Sequence, residues 1–165
     1  MVKLSLEIKD GKYMLKRFIL IILCLLNMMT ITYFSSQNAE KSTEVSEGVT
    51  VKVVSSVTGQ PEPVVKENIK EYDKYTRSFA HFFLFLTLGF LLFFTLREFN
   101  IKMSFLFAFA ICFVYAIFDE SYQKLLNQGR AFEAVDLIKD WSGSALGIFG
   151  AWLIQTKVKM TKKGK

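Results

Sequence analysis

The sequence predicts an all-α integral membrane bundle of four transmembrane helices, with an amphipathic interfacial helix in the first outer loop. Apolar residues make up 52% and aromatic residues 15% of the 165-residue chain, which is high for a soluble domain. They are concentrated in blocks, because residues 18–34, 79–96 and 103–118 contain no Asp, Glu, Lys or Arg. No segment shows the alternating pattern of a membrane β-barrel, so helices are the expected form in lipid.

The chain divides into three parts along its length. A basic arm (residues 1–17) and a basic tail (155–165) flank a membrane domain (18–154). Within that domain the predicted spans cover about residues 18–34, 79–96, 103–122 and 135–154. A cleaved signal peptide is the alternative for the first span, but its 17 apolar residues exceed the usual apolar region and no A-x-A site follows.

The first outer loop, residues 35–78, carries the predicted interfacial helix. Pro61 and Pro63 interrupt this loop, and beyond them apolar residues recur about every 3.6 positions while Lys and Glu fill the opposite face. The pattern predicts an amphipathic helix over residues 63–78 that leads into the second span. Before the prolines, residues 49–57 fit either a short strand or a second surface helix.

The fourth span is too short without its charged flank. Residues 141–154 make only 14 uncharged positions, whereas a bilayer core about 30 Å thick needs about 20 helical residues. Extending the third and fourth spans through their charged ends places four carboxylates in the interfacial layer, those of Asp119, Glu120, Asp136 and Asp140. Placing ionisable groups at a membrane boundary costs free energy, so this acidic motif is the first candidate for a functional site.

Charge predicts that the protein lies in the cell membrane with both termini cytoplasmic. The N-terminal arm, the connection between the second and third spans and the C-terminal tail carry twelve bases and three acids, and the other two connections carry nine bases and twelve acids. The positive-inside rule places the base-rich side in the cytoplasm, so the acidic motif faces outward. Anionic lipid headgroups explain the net charge of +6 better than nucleic acid does, because the bases adjoin apolar segments.

Polar residues at the outer helix ends are the candidate site. Arg77 and His81, the only histidine, are four residues apart and share a helix face, as do Asp119 and Gln123. Carboxylates near the C-terminus of a helix meet the negative end of its dipole, at a cost of a few tenths to about 1 kcal/mol. Asp119 and Glu120 therefore need a compensating partner.

Arg130 is the predicted partner of these carboxylates. A guanidinium binds a carboxylate through two parallel hydrogen bonds, and Gly129 before it permits a tight turn. This contact fits either a structural clamp between the third and fourth helices or a ligand site, and one arrangement can serve both. Small residues repeat every four positions along the fourth span and predict close helix packing, at Gly143, Gly147 and Ala151.

The sequence carries no standard catalytic or metal motif. It has no nucleophile elbow, phosphate-binding loop or zinc spacing, and Cys24 and Cys112 lie in separate spans where they are expected to pack as small apolar residues. No cofactor is predicted. A divalent metal held by His81 and the carboxylates stays open as part of a catalytic alternative.

At these residues the chain resembles the VanZ-like membrane proteins of bacteria, over most of its length. Residues 34–37, ending in Gln37, are similar to the motif that closes the family's first helix, and Arg77-Ser78-Phe79-Ala80-His81 is similar to the entry into its second. Further motifs follow in the family's order and spacing, namely Asp119-Glu120-x-x-Gln123, Gly129-Arg130, Asp136 and Asp140-x-x-Gly143-x-x-x-Gly147. The chain departs from the family at Ser78, where a second base is common, and at Gln128, where a proline often precedes Gly-Arg.

The resemblance implies a multi-pass bacterial membrane protein, and the family's named member is associated with low-level resistance to teicoplanin, a lipoglycopeptide. Three function classes stay open. The first is a non-catalytic envelope protein whose outer site binds a lipid-linked precursor or a lipid-tailed antibiotic. The second is a membrane enzyme acting on an envelope lipid or glycan, with His81, Asp119 and Glu120 as candidate catalytic residues. The third is a channel or homo-oligomeric assembly subunit that associates through its glycine ridge.

Overall fold

The computed structural model describes residues 2–36, 39–126 and 134–163, and these ranges are all-α, as predicted. Their six helices are α1 (Val2–Ser35), α2 (Ala39–Thr58), α3 (Glu62–Glu67), α4 (Ile69–Glu98), α5 (Ser104–Leu126) and α6 (Ala134–Lys163). No strand occurs within the described ranges. Four of the helices are long, and three of those carry the long apolar segments that the sequence shows.

Three helices are long and apolar enough to cross a bilayer, at Tyr13–Ser35, Tyr75–Glu98 and Ser104–Leu126. Each contains one of the uncharged runs that predicted a span. Their outward faces expose large apolar side chains, such as Phe18 at 62% and Val114 at 64% of full exposure. Contiguous apolar surface of this kind is typical of a protein whose solvent is lipid.

α1 runs antiparallel to α4. At one end of the bundle Lys16 pairs with Glu98, and Arg17 Nε donates to the Glu98 carbonyl oxygen at 3.0 Å. Further along α1, Cys24 Sγ lies 3.4 Å from Thr95 Oγ1. Increasing residue number on α1 therefore matches decreasing residue number on α4.

α1 runs parallel to α5. The Tyr115 hydroxyl donates to the Met28 carbonyl oxygen at 2.7 Å, and one turn or more further on, Ser35 Oγ donates to Asp119 Oδ2 at 2.6 Å. The two helices therefore reach the same end of the bundle together. Because α1 and α5 are parallel and α1 and α4 are antiparallel, these three helices alternate in direction.

α6 lies along α4 in the parallel direction, and glycines allow the two backbones to approach closely. A Cβ atom at Gly143 would collide with the backbone of Phe82, and one at Gly147 would collide with the backbone of Leu86. Ala151, the next small residue of the ridge, is fully buried. Small residues at a helix interface permit this kind of contact. The four long helices thus run up, down, up and down.

The core lies between the four long helices. Each helix contributes fully or almost fully buried side chains, including Ile31 from α1, Phe85 and Leu88 from α4, Cys112 from α5 and Ile148 from α6. Cys112 is a free thiol packed as a small apolar residue. This packing fixes the heights of the helices relative to one another, and so decides which polar residues meet at the helix ends.

The segment predicted as the first outer loop, residues 35–78, is helical over most of its described length. Residues 49–57 lie within α2, which packs on α4 and buries Val51, so the helical alternative is the observed one. The stretch predicted as one interfacial helix, residues 63–78, is divided at Asn68 between α3 and the first turns of α4. The second part continues without interruption into the second apolar span.

Candidate functional site

A buried polar cluster lies at the end of the bundle opposite to Lys16 and Glu98. Its centre is Asp119, whose side chain is 1% exposed. Asp119 Oδ2 accepts hydrogen bonds from Ser35 Oγ at 2.6 Å and from Gln123 Nε2 at 3.0 Å. Gln123 Nε2 also lies 3.2 Å from Ser35 Oγ, so the three side chains form a closed triangle between α1 and α5.

The second carboxylate oxygen of Asp119 has a different environment. Oδ1 is inaccessible to solvent and accepts no hydrogen bond from any residue that the structure describes. A buried oxygen of an acidic side chain normally has a partner, and leaving one unsatisfied costs about 1–3 kcal/mol. Asp119 therefore has a buried oxygen whose hydrogen-bonding capacity no described residue satisfies.

His81 approaches the same carboxylate from α4. Its Nδ1 atom lies 3.9 Å from Asp119 Oδ2, which is too long for a hydrogen bond but close enough for an electrostatic interaction if the ring is protonated. His81 is itself buried, at 8% exposure. Arg77 precedes it by one helical turn and lies half-buried on the same side of α4.

Two more hydroxyl groups, those of Thr32 and Tyr115, lie on the seam between α1 and α5 that leads to the cluster. Tyr115 precedes Asp119 by one turn of α5, and its hydroxyl lies 2.8 Å from Thr32 Oγ1 in addition to its bond with the Met28 carbonyl oxygen. The seam between α1 and α5 is therefore polar at successive turns. It holds the end of α1 at the height at which Ser35 meets Asp119.

A more exposed ion pair lies at the start of α6. Lys139 Nζ is 3.0 Å from Asp136 Oδ1 and 3.0 Å from Ser78 Oγ, and Ser78 Oγ lies 3.3 Å from the same Asp136 oxygen. About a third of each charged side chain remains accessible. Such pairs contribute about 0–1 kcal/mol to stability, so their main effect here is to join the ends of α4 and α6.

Asp140 and Glu120 complete the acidic cluster. They are 5% and 6% exposed, and the Asp140 carboxyl lies within Coulombic range of Asp119, Asp136, Glu120 and Lys139. Residues from α5 and α6 that are separated in the sequence are thus brought to one region. Four carboxyl groups share this end of the bundle with basic side chains, among them Lys139 and Arg77.

Some of the residues that the sequence singles out lie outside the described ranges. Gln37, Gly129 and Arg130 are among them, so the proposed contact of Arg130 with Asp119 or Glu120 stays a prediction. Across the described helices, no group of three or more His, Cys, Asp or Glu side chains is placed to hold a metal ion. His81 and Asp119 form only a pair.

Sequence reasoning did not single out Ser35 or Ser78 as site residues. Ser35 is 2% exposed and supplies the shortest hydrogen bond to Asp119, and Ser78 links Asp136 with Lys139. A serine at the junction of a long apolar run with a polar segment was the available signal. Serines at such junctions are common, so the signal by itself is weak.

Comparison with known proteins gives one match. A family model described as VanZ/LLP1 matches residues 18–155, a range that contains every described residue of the polar cluster. No curated protein and no solved structure matches the chain.

Proposed function

The chain belongs to the VanZ/LLP1 family, as its motifs indicate, and from this premise we propose that it is a multi-pass protein of the bacterial cell envelope whose polar cluster binds an amphiphilic ligand without catalysing a reaction. The apolar helices and the family together identify a membrane protein. The observation that carries the proposal is the environment of Asp119, which is buried, held by Ser35 and Gln123, and left at Oδ1 without a hydrogen bond from any described residue.

The proposal includes a fourth span. α6 is 30 residues long, packs along α4 in the parallel direction, and has the apolar residues 141–154 at the height of the apolar part of α4. Since α4 is apolar enough to cross a bilayer, a helix packed along it at the same depth is expected to cross as well. Four crossings return the C-terminal tail to the side of the N-terminal arm.

The proposal also includes an orientation. The end of the bundle that holds Lys16, Arg17 and Glu98 adjoins the base-rich arm, and the opposite end holds the acidic cluster. The positive-inside rule places the base-rich end in the cytoplasm. The acidic cluster then faces the outer leaflet, where a lipid-linked wall precursor or a lipid-tailed glycopeptide would meet it.

We further propose that binding of such a ligand gives the protein a role in tolerance to teicoplanin-type antibiotics, through sequestration of the drug or altered access to its target. The clearest test compares teicoplanin with vancomycin inhibitory concentrations in a susceptible Gram-positive host. Wild type, Asp119→Asn and Glu98→Gln are expressed at matched membrane abundance. Glu98→Gln is the control, because it changes one carboxylate at the opposite end of the bundle.

We expect wild type and Glu98→Gln to raise tolerance to teicoplanin selectively, and Asp119→Asn to abolish the effect. Equal loss in both variants would indicate general destabilisation instead of a site. No change with wild type would show that the glycopeptide role does not apply to this protein, and an unrelated envelope role would replace it.

One observation favours a second candidate, a membrane enzyme acting on an envelope lipid or glycan. His81 Nδ1 and Asp119 Oδ2 lie 3.9 Å apart, and catalytic hydrogen bonds are often long before substrate binds. In that case His81→Gln would abolish the phenotype as completely as Asp119→Asn, and purified protein would convert an envelope lipid at a measurable rate. Under the binding proposal no conversion is detected with any of these proteins.

A further inference from the structure

The second half of α2 has one buried face and two exposed flanks. Thr50 and Val51 belong to the buried face and are 0% and 2% exposed. Val49, Val53 and Val57 are spaced four residues apart, share one side of the helix, and are 63%, 48% and 80% exposed. We call these three residues the valine flank. Among the described helices α2 packs only on α3 and α4, so none of the others covers this flank.

A polar flank runs beside the valine flank. It consists of Gly48, Lys52 and Ser56, which are also spaced four residues apart and are exposed. Each of them directly precedes one of the three valines, so the two flanks lie about 100° apart around the helix axis. An apolar strip next to a polar strip on the exposed surface of one helix is typical of a helix at a boundary between lipid and water.

The N-terminal end of α2 is tied to the end of α1. α1 ends at the level of the acidic cluster, because Ser35 donates to Asp119 and Asp119 lies beside His81. Only residues 36–38 separate Ser35 from Ala39, the first residue of α2. An extended chain advances at most about 3.3–3.6 Å per residue, so α2 begins within about 14 Å of the end of α1.

The C-terminal end of α2 is tied to α4. Gln60 follows the last residue of α2 by two positions, and the Tyr72 hydroxyl donates to its Oε1 atom at 2.9 Å. Tyr72 lies about one helical turn before Tyr75, where the apolar span of α4 begins. This end of α2 is therefore held beside the point at which α4 enters the apolar part of the bundle.

Both ends of α2 thus lie close to the ends of apolar spans, although its 20 residues make it about 30 Å long. A helix of this length that pointed away from the bilayer would have one end about 30 Å from the boundary, and neither connection permits that. α2 is therefore expected to lie at a shallow angle to the membrane surface. In that position one of its exposed flanks faces lipid and the other faces water.

We propose that the valine flank of α2 rests on the lipid surface, at the end of the bundle that holds the acidic cluster. The flank carries no charge, and the helix on which α2 packs begins its own apolar surface nearby, with Tyr75 and Phe79 exposed. Aromatic side chains at this level are typical of the boundary between lipid and water. Because α2 is tethered to two spans, a weak apolar contact is enough to hold it at the surface.

This inference goes beyond the proposed function and does not depend on it, since it requires only that the apolar helices cross a membrane. It assigns a lipid partner to a helix outside the spans. It also places the boundary between water and lipid along α2, between its two flanks.

Fluorescence quenching in lipid nanodiscs tests the assignment. Val53→Cys and Ser56→Cys are each labelled with nitrobenzoxadiazole, in phosphatidylcholine and phosphatidylglycerol that contain a phosphatidylcholine with a nitroxide near its headgroup. Both positions are exposed, so neither change disturbs packing, and wild type, whose two cysteines are buried in the core, gives the background. Phe79→Cys is the lipid-facing control on α4.

We expect the lipid nitroxide to quench the probe at residue 53 several-fold more than the probe at residue 56, and to a degree similar to the probe at residue 79. Aqueous iodide should give the opposite order at residues 53 and 56. Equal or stronger iodide quenching at residue 53 would overturn the proposal, because the valine flank would then face water. Protection of residue 53 from both quenchers would also overturn it, because protein, such as a second copy of the chain, would then cover the flank.

A charge on either flank tests whether the apolar contact holds α2 in place. With the probe at Val57→Cys, the additional change Val53→Asp should reduce quenching by the lipid nitroxide several-fold, because a carboxylate is excluded from the apolar part of the bilayer. Ser56→Asp, on the polar flank, should leave it unchanged. An equal effect of both changes, or of neither, would show that the valines do not hold the helix at the lipid surface.

Discussion

Replacing Ser35 by alanine isolates the contribution of α1 to the acidic cluster. The Ser35 hydroxyl is 2% exposed, donates to Asp119 Oδ2 at 2.6 Å and lies 3.2 Å from Gln123 Nε2. Ser35→Ala removes both contacts, and the buried position leaves little room for water to replace them. Hydrogen bonds to charged groups contribute about 1.5–3 kcal/mol in soluble proteins, whereas those between membrane helices average about 0.6 and reach about 1.7 kcal/mol.

Because Asp119 has no exposed surface to regain solvation, we expect Ser35→Ala to lower the free energy of unfolding by about 1–2 kcal/mol, near the upper end of the membrane range. Ser36→Ala is the matched control, since the neighbouring Ser36 hydroxyl is more exposed and donates only to the Tyr33 carbonyl oxygen. Unfolding is measured by titration with a denaturing detergent, using the fluorescence of Trp141 and Trp152.

A difference between the two serine variants of less than about 0.5 kcal/mol would refute the assignment, because exposed substitutions already vary by that amount. A double-mutant cycle with Asp119→Asn checks the pairing itself. The two substitutions should be non-additive by 0.5 kcal/mol or more, taking about 0.5–3 kcal/mol as the range for residues in contact. Additive effects would show that Ser35 stabilises the bundle without acting on Asp119.

Three further predictions test the packing of α4 against α6, the exposed ion pair at the start of α6, and the membrane topology. Gly147→Ala should sharply reduce the yield of folded protein in membranes, whereas Gly150→Ala, where a Cβ meets no atom within 4 Å, should not; equal yields would contradict the close approach of α4 and α6. Asp136→Asn should change the free energy of unfolding by less than about 1 kcal/mol, because about a third of each side chain of its ion pair is exposed; a larger loss by the same titration would show that the pair is structural. An impermeant thiol reagent on intact cells should label Asn127→Cys and spare Lys163→Cys, and the reverse pattern would overturn the orientation.

The contacts within a single helix could be predicted from the sequence. Asp119 and Gln123 share a face because they are four residues apart, and the structure joins them at 3.0 Å. The three long apolar spans likewise followed from uncharged runs, because the requirement for internal hydrogen bonding in lipid leaves few alternatives to a helix. Both inferences depend only on local spacing and composition.

The contacts between helices could not be predicted in the same way. Ser35 and Asp119 are 84 residues apart, and their meeting depends on the rotation and height of α1 relative to α5. In a helix of a soluble protein, the polar face would show which side points away from the core and so would indicate this rotation. α1 is apolar all round, and only 17% of its most apolar 18-residue stretch is buried. The apolar run therefore predicts a span without indicating which face packs inward.

The secondary structure of residues 49–57 could not be decided from the sequence for a related reason. Residues 49–57 are rich in valine, which favours strands, but the segment is helical because Thr50 and Val51 pack against the bundle on one side of α2. Burial of these side chains in the tertiary structure overrides the weak strand preference of valine. At Asn68, where α3 ends and α4 begins, the sequence shows no glycine or proline to indicate a boundary.

Stability alone does not account for the acidic cluster. Moving a carboxylate out of water costs several kcal/mol even after relaxation, and the hydrogen bonds from Ser35 and Gln123 offset at most about 1.5–3 kcal/mol each. The nearby carboxyls of Glu120 and Asp140 add repulsion, and the unsatisfied Oδ1 atom of Asp119 adds a further cost. An apolar residue at position 119 would avoid all of these costs, as the buried Ala116 does one turn earlier on α5. The energetic balance therefore favours a cluster that is completed by a positively charged or donating group, which a bound ligand supplies under the binding proposal and Arg130 supplies if it forms the predicted clamp.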